Sequence, residues 1–98
     1  MNIVKTKNNQ SLTIALEGRL DTTTAPQLEA ELKSCLNGVE ALVMDMEKLD
    51  YISSAGLRVL LAAQKQMAKQ GEMKVIHVSE SIMEIFEVTG FSDILTIE

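Results

Sequence analysis

Short apolar segments with the pattern of β-strands alternate with segments that have the pattern of α-helices along this chain, and this alternation restricts its fold more than any other feature. Ile3–Thr6 and Leu12–Leu16 have the pattern of β-strands, and the polar turn Asn8-Asn9-Gln10 between them predicts a hairpin. Later strands are each predicted after a helical segment, and they are Leu42–Met46, Met73–Val78 and Ile94–Ile97. Strands joined through helices pair in parallel by right-handed crossovers. The sequence therefore predicts an α/β fold with a mixed, mostly parallel sheet, an antiparallel N-terminal hairpin and packed helices.

The first helix is predicted to open within the polar segment Thr22 to Pro26. Thr24 and Gln27 have the spacing of a capping box, and proline is tolerated in a first helical turn. The apolar positions that follow at helical spacing are Leu28, Leu32 and Cys35 or Leu36. Asn37-Gly38 then ends the helix. We expect the cysteine on this apolar stripe to fill space in the core.

Composition limits the number of domains and the kinds of partner. Ninety-eight residues with 46% hydrophobic content are expected to form one domain over residues 1–98. We find no signal-peptide core and no run of the ~20 apolar residues that span a membrane, so a soluble, cytoplasmic protein is expected. A single cysteine suits a reducing compartment. The net charge of −5 argues against nucleic acid as a partner and favours proteins.

The start of the central helix, predicted over Ser54–Gln70, carries the most functional information. Ser53 and Ser54 lie where the chain enters this helix, and we expect the hydroxyl of Ser54 to serve as the N-cap that is favoured there. Ala55 and Gly56 follow with almost no side chain, so the hydroxyl of Ser54 is expected to be accessible. Glycine in a first turn costs roughly 0.5–1 kcal/mol relative to alanine, which indicates that something approaches the backbone there. An open hydroxyl can be the substrate of another enzyme.

Four motifs in order resemble those of the anti-sigma factor antagonists, which are small bacterial STAS-domain proteins. They are the turn Gly18-Arg19-Leu20-Asp21, the strand Ala41–Met46, the lead-in Leu49–Ile52 to the central helix, and the closing helix and turn Phe86–Phe91. The resemblance covers the whole chain. It implies the STAS fold.

The resemblance also implies which hydroxyl is modified. In well-known members of the family the phosphorylated hydroxyl lies two residues before a glycine, and alignment on Gly56 places Ser54 there. Ser53 then replaces the family's aspartate, Ala55 its second hydroxyl and Arg58 its second glycine. Helical side chains lean toward the N-terminus, so the Arg58 guanidinium is expected within reach of a phosphate on Ser54, with partner recognition and simple solvation as alternatives.

The function implied by the family is a partner switch. The unphosphorylated protein would sequester an anti-sigma factor that is also a serine kinase, phosphorylation of Ser54 would release that kinase, and a metal-dependent serine phosphatase would reset the protein. The expected partner-binding residues are Asp21, Thr22, Ser53, Ser54, Ala55, Gly56 and Arg58. Asp21 is also explained by the local hydrogen bonds that aspartate makes at helix starts. No cofactor is expected, and the chain itself is not expected to be an enzyme.

The other polar residues are expected to be structural. Asp45 lies in an apolar strand, where its carboxylate can accept backbone hydrogen bonds near the strand end. His77 is expected to be a strand-end or core histidine, since no partner for a catalytic base is visible. An aspartate pair would need more oxygen ligands at close spacing to hold a metal, so no metal site is expected.

Three other functions stay open from the sequence. The chain also resembles the small STAS subunits that cap the ATPase of a bacterial lipid-transport system, in which no phosphate is involved. A partner switch that controls an output other than a sigma factor is a second alternative. A small enzyme with Ser54 or Cys35 as nucleophile is disfavoured, because one histidine and no orienting acid accompany them.

Overall fold

The computed structural model describes residues 1–98, and its elements follow the predicted alternation. In chain order they are the strands β1 (Asn2–Asn8) and β2 (Ser11–Leu20), the helix α1 (Ala25–Cys35), the strand β3 (Ala41–Ile52), the helix α2 (Ser54–Gln70), the strand β4 (Glu72–Ile76), the helix α3 (Glu80–Thr89) and a 3₁₀ turn (Phe91–Asp93). The α/β class and the limits predicted for the central helix are confirmed.

The sheet is mixed, with the order β1-β2-β3-β4. β1 and β2 form the predicted antiparallel hairpin, and Asn9 adopts a positive φ of 57° in its turn. β3 runs parallel to β2, and β4 runs parallel to β3. The antiparallel hairpin at one edge and the parallel pairing of the two strands that follow are therefore as the sequence predicts.

The helices cover one face of the sheet. Alternate residues of the strands are buried on that face, as the fully buried Ile14 and Leu16 of β2 illustrate. The helices contribute Leu28, Leu60 and Phe86 to the same core. The other face of the sheet has no helix packed on it, and residues there such as Thr13, Ala15 and Val43 are only half-buried. None of the helices is both long enough and apolar enough to cross a membrane.

The last predicted strand is wrong in extent. The sequence predicts a short strand over Ile94–Ile97, but the C-terminus makes only an isolated parallel bridge between Val75 and Ile97. Ile94 and Leu95 continue the turn that starts at Phe91, because their N–H groups donate to the Phe91 carbonyl at 3.0 Å and 2.9 Å, so only the chain from Thr96 onward pairs with Val75. The predicted strand Met73–Val78 also ends earlier, at Ile76, because His77 turns out of the sheet with a φ of 57°.

The capping box predicted for α1 is also wrong. The Thr24 side chain makes no cap bond to the helix; its hydroxyl accepts from the Asp21 N–H at 2.8 Å and donates to the Arg19 carbonyl at 2.7 Å. Gln27 instead donates to the Met1 carbonyl at 3.3 Å. The helix begins at Ala25 with its start held by the preceding turn.

β3 is longer than predicted because it contains two irregularities. Opposite Ala15 and Glu17 of β2 lie Asp45 and Lys48 of β3, so β3 carries an extra residue there. A second shift separates the pairs of Gly18 and Arg19. Extra residues of this kind bend and twist a strand locally and re-aim its side chains. They let β3 continue past Met46 to the start of α2, where the candidate site lies.

Candidate phosphorylation and partner-binding surface

The sheet brings two loops together at its carboxyl edge. Leu20 at the end of β2 pairs with Ile52 at the end of β3, and the Ser53 N–H donates to the Leu20 carbonyl at 2.9 Å. The chain then leaves β2 through Asp21 and leaves β3 through Ser53. The predicted site residues from the two loops are therefore neighbours in space, as parallel strands require.

The N-cap of α2 is Ser53, and this corrects the expectation that Ser54 caps the helix. Ser53 has extended backbone angles, and its hydroxyl accepts from the Gly56 N–H at 3.5 Å. Ser54 is the first helical residue and is exposed. Its hydroxyl takes part in no hydrogen bond within the chain, so it is free to react.

Gly56 has an internal reason to be glycine. It is buried, and a Cβ built on it would lie 2.7 Å from Leu20 Cγ and 2.9 Å from Ile52 Cγ1. The close approach to this backbone that the glycine indicates is therefore made by the protein's own core. Gly56 lets the first turn of α2 rest directly on the ends of β2 and β3, and it has no side chain to offer to a partner.

Asp21 organises the other loop. Its Oδ1 accepts from the Thr23 hydroxyl at 2.7 Å, from the Thr23 N–H at 3.0 Å and from the Thr24 N–H at 3.1 Å. The Thr23 hydroxyl bond and these backbone bonds outweigh the effect of burial and lower the pKa of Asp21 from 3.8 to about 2. Arg19 Nε lies 3.7 Å from Oδ2. The local role of Asp21 is confirmed, and Thr22 stands exposed beside it.

Arg58 lies over the start of α2. Its side chain is exposed and leans back one turn, so that Nε donates to the Ser54 carbonyl at 3.5 Å, which is a weak contact. This is the direction predicted for it. A cleft of about 260 Å³ separates the starts of α1 and α2, and its lining includes Thr22, Pro26, Glu29, Ala55, Arg58 and Val59. The cleft brings Thr22 from the loop after β2 together with Ala55 and Arg58 from the start of α2, and Ala55 is the residue next to Ser54.

Comparison with known proteins identifies the family. The model of the STAS domain matches residues 2–98. This chain belongs to the STAS-domain family. BtrV of Bordetella bronchiseptica, described as a candidate anti-sigma factor antagonist, is 38% identical over 99% of this chain and 85% of its own. The anti-sigma-B factor antagonist of Listeria monocytogenes is 31% identical over 97% of this chain and 85% of its own.

A solved structure shows the same fold. The Bacillus cell fate determinant SpoIIAA in the phosphorylated form superposes on this STAS domain with a TM-score of 0.77, covering 99% of this chain and 91% of that one at 18% identity. The STAS fold expected from the sequence motifs is therefore confirmed.

Sequence reasoning missed two residues of this surface of the STAS domain. Arg19 and Tyr51 are partners across β2 and β3, and the Arg19 guanidinium carbon lies 4.4 Å from the centroid of the Tyr51 ring. Tyr51 is 37% exposed, so the pair forms an apolar and cationic patch at the same end of the sheet as Ser53. Only the strand register reveals the pair, because the two residues are far apart in sequence.

The predictions for the remaining polar residues are confirmed in part. Asp45 accepts the Glu47 N–H at 3.0 Å, as expected of a structural aspartate, although it does so at the irregularity inside β3. His77 is exposed just beyond β4, and the expectation that it lacks a partner is wrong, since its Nδ1 lies 3.0 Å from Asp45 Oδ1. Cys35 is half-buried and packs against the core as expected.

Proposed function

We propose that this protein is an anti-sigma factor antagonist that is switched by phosphorylation of Ser54. The observation that carries the proposal is the state of the two adjacent serines. Ser53 is used by the fold as the N-cap of α2, whereas Ser54 is exposed with an unengaged hydroxyl. At the start of α2 the hydroxyl of Ser53 therefore has a structural role, whereas the hydroxyl of Ser54 is available to a kinase.

The relatives support the same role. The Listeria protein, 31% identical, is named an anti-sigma-B factor antagonist. The fold is shared with SpoIIAA, whose structure is known in a phosphorylated form. These names support an anti-sigma factor as the class of partner, and the exposed, unengaged hydroxyl of Ser54 supports this residue as the site of modification. The proposed site of action is the cytoplasm, where the sigma factor and ATP are found.

The proposed modification is a phosphoryl transfer from ATP. Ser54 Oγ attacks the γ-phosphorus, the bond between that phosphorus and the β–γ bridging oxygen breaks, and ADP leaves. The hydroxyl proton passes to a base of the kinase, because no acid or base side chain of this chain bonds to the Ser54 hydroxyl. In this reaction the antagonist is the substrate. A metal-dependent phosphatase would reverse the modification by hydrolysis.

A phosphate on Ser54 changes the interface more than the fold. It adds about −1.5 to −2 charges next to Ala55, which lines the cleft between α1 and α2 together with Val59. The same group sits at the N-terminus of α2, where unpaired N–H groups and the helix dipole favour an anion. Phosphorylation is therefore expected to weaken partner binding while it leaves the domain folded.

Arg58 has two proposed roles that one variant separates. If its guanidinium clasps the phosphate, phosphorylation raises the melting temperature of the wild type and raises it less in Arg58→Lys, because lysine cannot form two parallel hydrogen bonds. If Arg58 contacts the partner, Arg58→Lys weakens binding of the unphosphorylated protein and leaves the melting shift unchanged. Calorimetry on this one variant measures both quantities.

The modified residue is tested directly with the cognate kinase and ATP. Peptide mass spectrometry is expected to find one phosphate, on Ser54. Ser53→Ala should still be phosphorylated and Ser54→Ala should not, which makes the neighbouring serines matched controls. Phosphate on Ser53 alone would show that the assignment is wrong. Failure of the kinase to act on either serine would leave the lipid-transport type of STAS subunit as the better explanation.

A further inference from the structure

A second group of polar side chains lies on the sheet face that carries no helix. Asp45 and Glu47 come from β3, and His77 comes from the turn after β4. β4 pairs with β3 so that Ile76 lies beside Asp45, and this pairing brings His77 to the same place. Seven residue steps separate Asp45 from Ile52 at the end of β3, which is up to about 23 Å at the usual rise of ~3.3 Å per residue. This group is therefore distinct from the surface around Ser54.

The donor atoms of the three side chains are as close as the ligands of a metal ion. His77 Nδ1 lies 3.0 Å from Asp45 Oδ1 and 3.5 Å from Glu47 Oε1. All three donor atoms lie within 4.8 Å of one another. Ligands bound at about 2.1 Å lie about 3.4 Å apart in a tetrahedron and about 3.0 Å apart along an octahedral edge. The three atoms thus occupy one face of a coordination polyhedron with little movement required.

The fold positions each of these ligands. The extra residue of β3 opposite Glu17 turns Glu47 toward Asp45, and Asp45 accepts the Glu47 N–H at 3.0 Å. His77 has a φ of 57°, which ends β4 and directs the chain away from the sheet. Lys48 Nζ lies 3.8 Å from Glu17 Oε2, so this neighbouring cation has a carboxylate partner outside the group. The ligands therefore come from the sheet and from a fixed turn, not from a flexible tail.

From this geometry we propose that Asp45, Glu47 and His77 form a binding site for a borderline divalent transition-metal ion such as Zn²⁺, with water in the remaining coordination positions. An imidazole beside two carboxylates suits Zn²⁺ and its neighbours better than Mg²⁺ or Ca²⁺, which prefer ligand sets made only of oxygen. The site would tie β3 to the turn after β4. This role is independent of the proposed switch at Ser54.

The proposal is tested by titration of the untagged protein with ZnCl₂. A Cys35→Ser background removes the only thiol, and His77 is the only histidine, so nitrogen-15 labelling of histidine gives the spectrum of a single imidazole. We expect saturable one-to-one binding by calorimetry and a shift of the His77 Nδ1 resonance at the same stoichiometry. Mg²⁺ at equal concentration should leave that resonance in place.

Variants assign the ligands without disturbing the fold. Asp45→Asn keeps an oxygen that can accept the Glu47 N–H, and His77→Gly removes the imidazole at a positive φ that glycine adopts freely. Each is expected to weaken Zn²⁺ binding at least tenfold, whereas Glu84→Gln, an exposed carboxylate on α3, should bind as the parent does. If binding did not saturate at about 1 mM Zn²⁺, the binding free energy would be weaker than about 4 kcal/mol, and this result would overturn the proposal. Unchanged affinity in both site variants would overturn it as well.

Discussion

Gly56→Ala places one methyl group under the start of α2, and its effect can be worked out from the packing there. The new Cβ would lie 2.7 Å from Leu20 Cγ, 2.9 Å from Ile52 Cγ1 and 3.0 Å from Leu20 Cδ2. These distances are well inside the usual contact of about 3.5–4.0 Å between carbon atoms. Both neighbours are fully buried core residues, so neither can swing into solvent.

Two opposing terms set the size of the effect. Overpacking of a buried site costs typically ~1–3 kcal/mol, and replacing glycine with alanine inside a helix returns up to ~1 kcal/mol. Because the nearest contact would be only 2.7 Å, the upper part of the overpacking range applies, about 2–3 kcal/mol, and we expect Gly56→Ala to lower the free energy of unfolding by about 1–2 kcal/mol. For a domain of this length that is a fall of about 4–8 °C in melting temperature per kcal/mol.

A double-mutant cycle with Leu20→Ala isolates the packing term. Leu20→Ala alone should destabilise the protein by about 2–5 kcal/mol, because it empties part of the core. In that background both Leu20 contacts are gone, and Ile52, the remaining neighbour at 2.9 Å, can shift into the space that Leu20 leaves, so Gly56→Ala should become neutral or stabilising. The expected coupling between the two substitutions is about 1–3 kcal/mol.

The assay is equilibrium unfolding in urea, followed by far-ultraviolet circular dichroism, on the four proteins of the cycle. Ala62→Gly, at an exposed position further along α2, calibrates the helix-propensity term separately. If Gly56→Ala stabilised the wild type as much as it stabilises Leu20→Ala, the close packing of Gly56 on β2 would be refuted.

Two further predictions concern the loops beside Ser54. Ser53→Ala should lower the free energy of unfolding by about 0.5–1 kcal/mol, which is the low end for a lost N-cap because the capping hydrogen bond is 3.5 Å long. Ser54→Ala should change the free energy of unfolding little. If urea unfolding gave the reverse order, Ser54 would be the cap. Asp21 has a pKa lowered from 3.8 to about 2 in the folded protein, so its ionised form contributes stability above pH 3.8 that is lost as the pH falls toward 2. Melting temperatures of wild type and Asp21→Asn should therefore converge over that interval, and a constant difference down to pH 2 would contradict the assignment.

The fold was predictable because its local signals agree with its tertiary contacts. The hairpin, the parallel strands and α2 each have an apolar period that matches the face they bury, and Gly90 ends α3 with a φ of 82° as the turn motif indicates. The C-terminal strand failed for a tertiary reason. Residues with strand propensity form a strand only if they can pair with the edge of a neighbouring strand. Here the turn that starts at Phe91 leaves only an isolated bridge between Ile97 and Val75 of β4.

The candidate site was predictable in its residues but not in their division of labour. The sequence places two serines at a helix start, and only the backbone angles show that Ser53 is the cap and Ser54 the free hydroxyl. Likewise Gly56 is a signal of close approach, and only the packing shows that Leu20 makes the approach. The group of Asp45, Glu47 and His77 depends on strand register and on an extra residue in β3, neither of which has a local signature in the sequence.

The central claim is that a phosphate on Ser54 breaks the partner interface and spares the fold. Its most direct test is calorimetric titration of the cognate anti-sigma factor with the unphosphorylated and the stoichiometrically phosphorylated protein, alongside the melting temperature of each form. Phosphorylation is expected to weaken binding at least tenfold, about 1.4 kcal/mol, and to leave the melting temperature unchanged or higher. Equal affinity of the two forms, or loss of affinity accompanied by loss of the folded state, would contradict it.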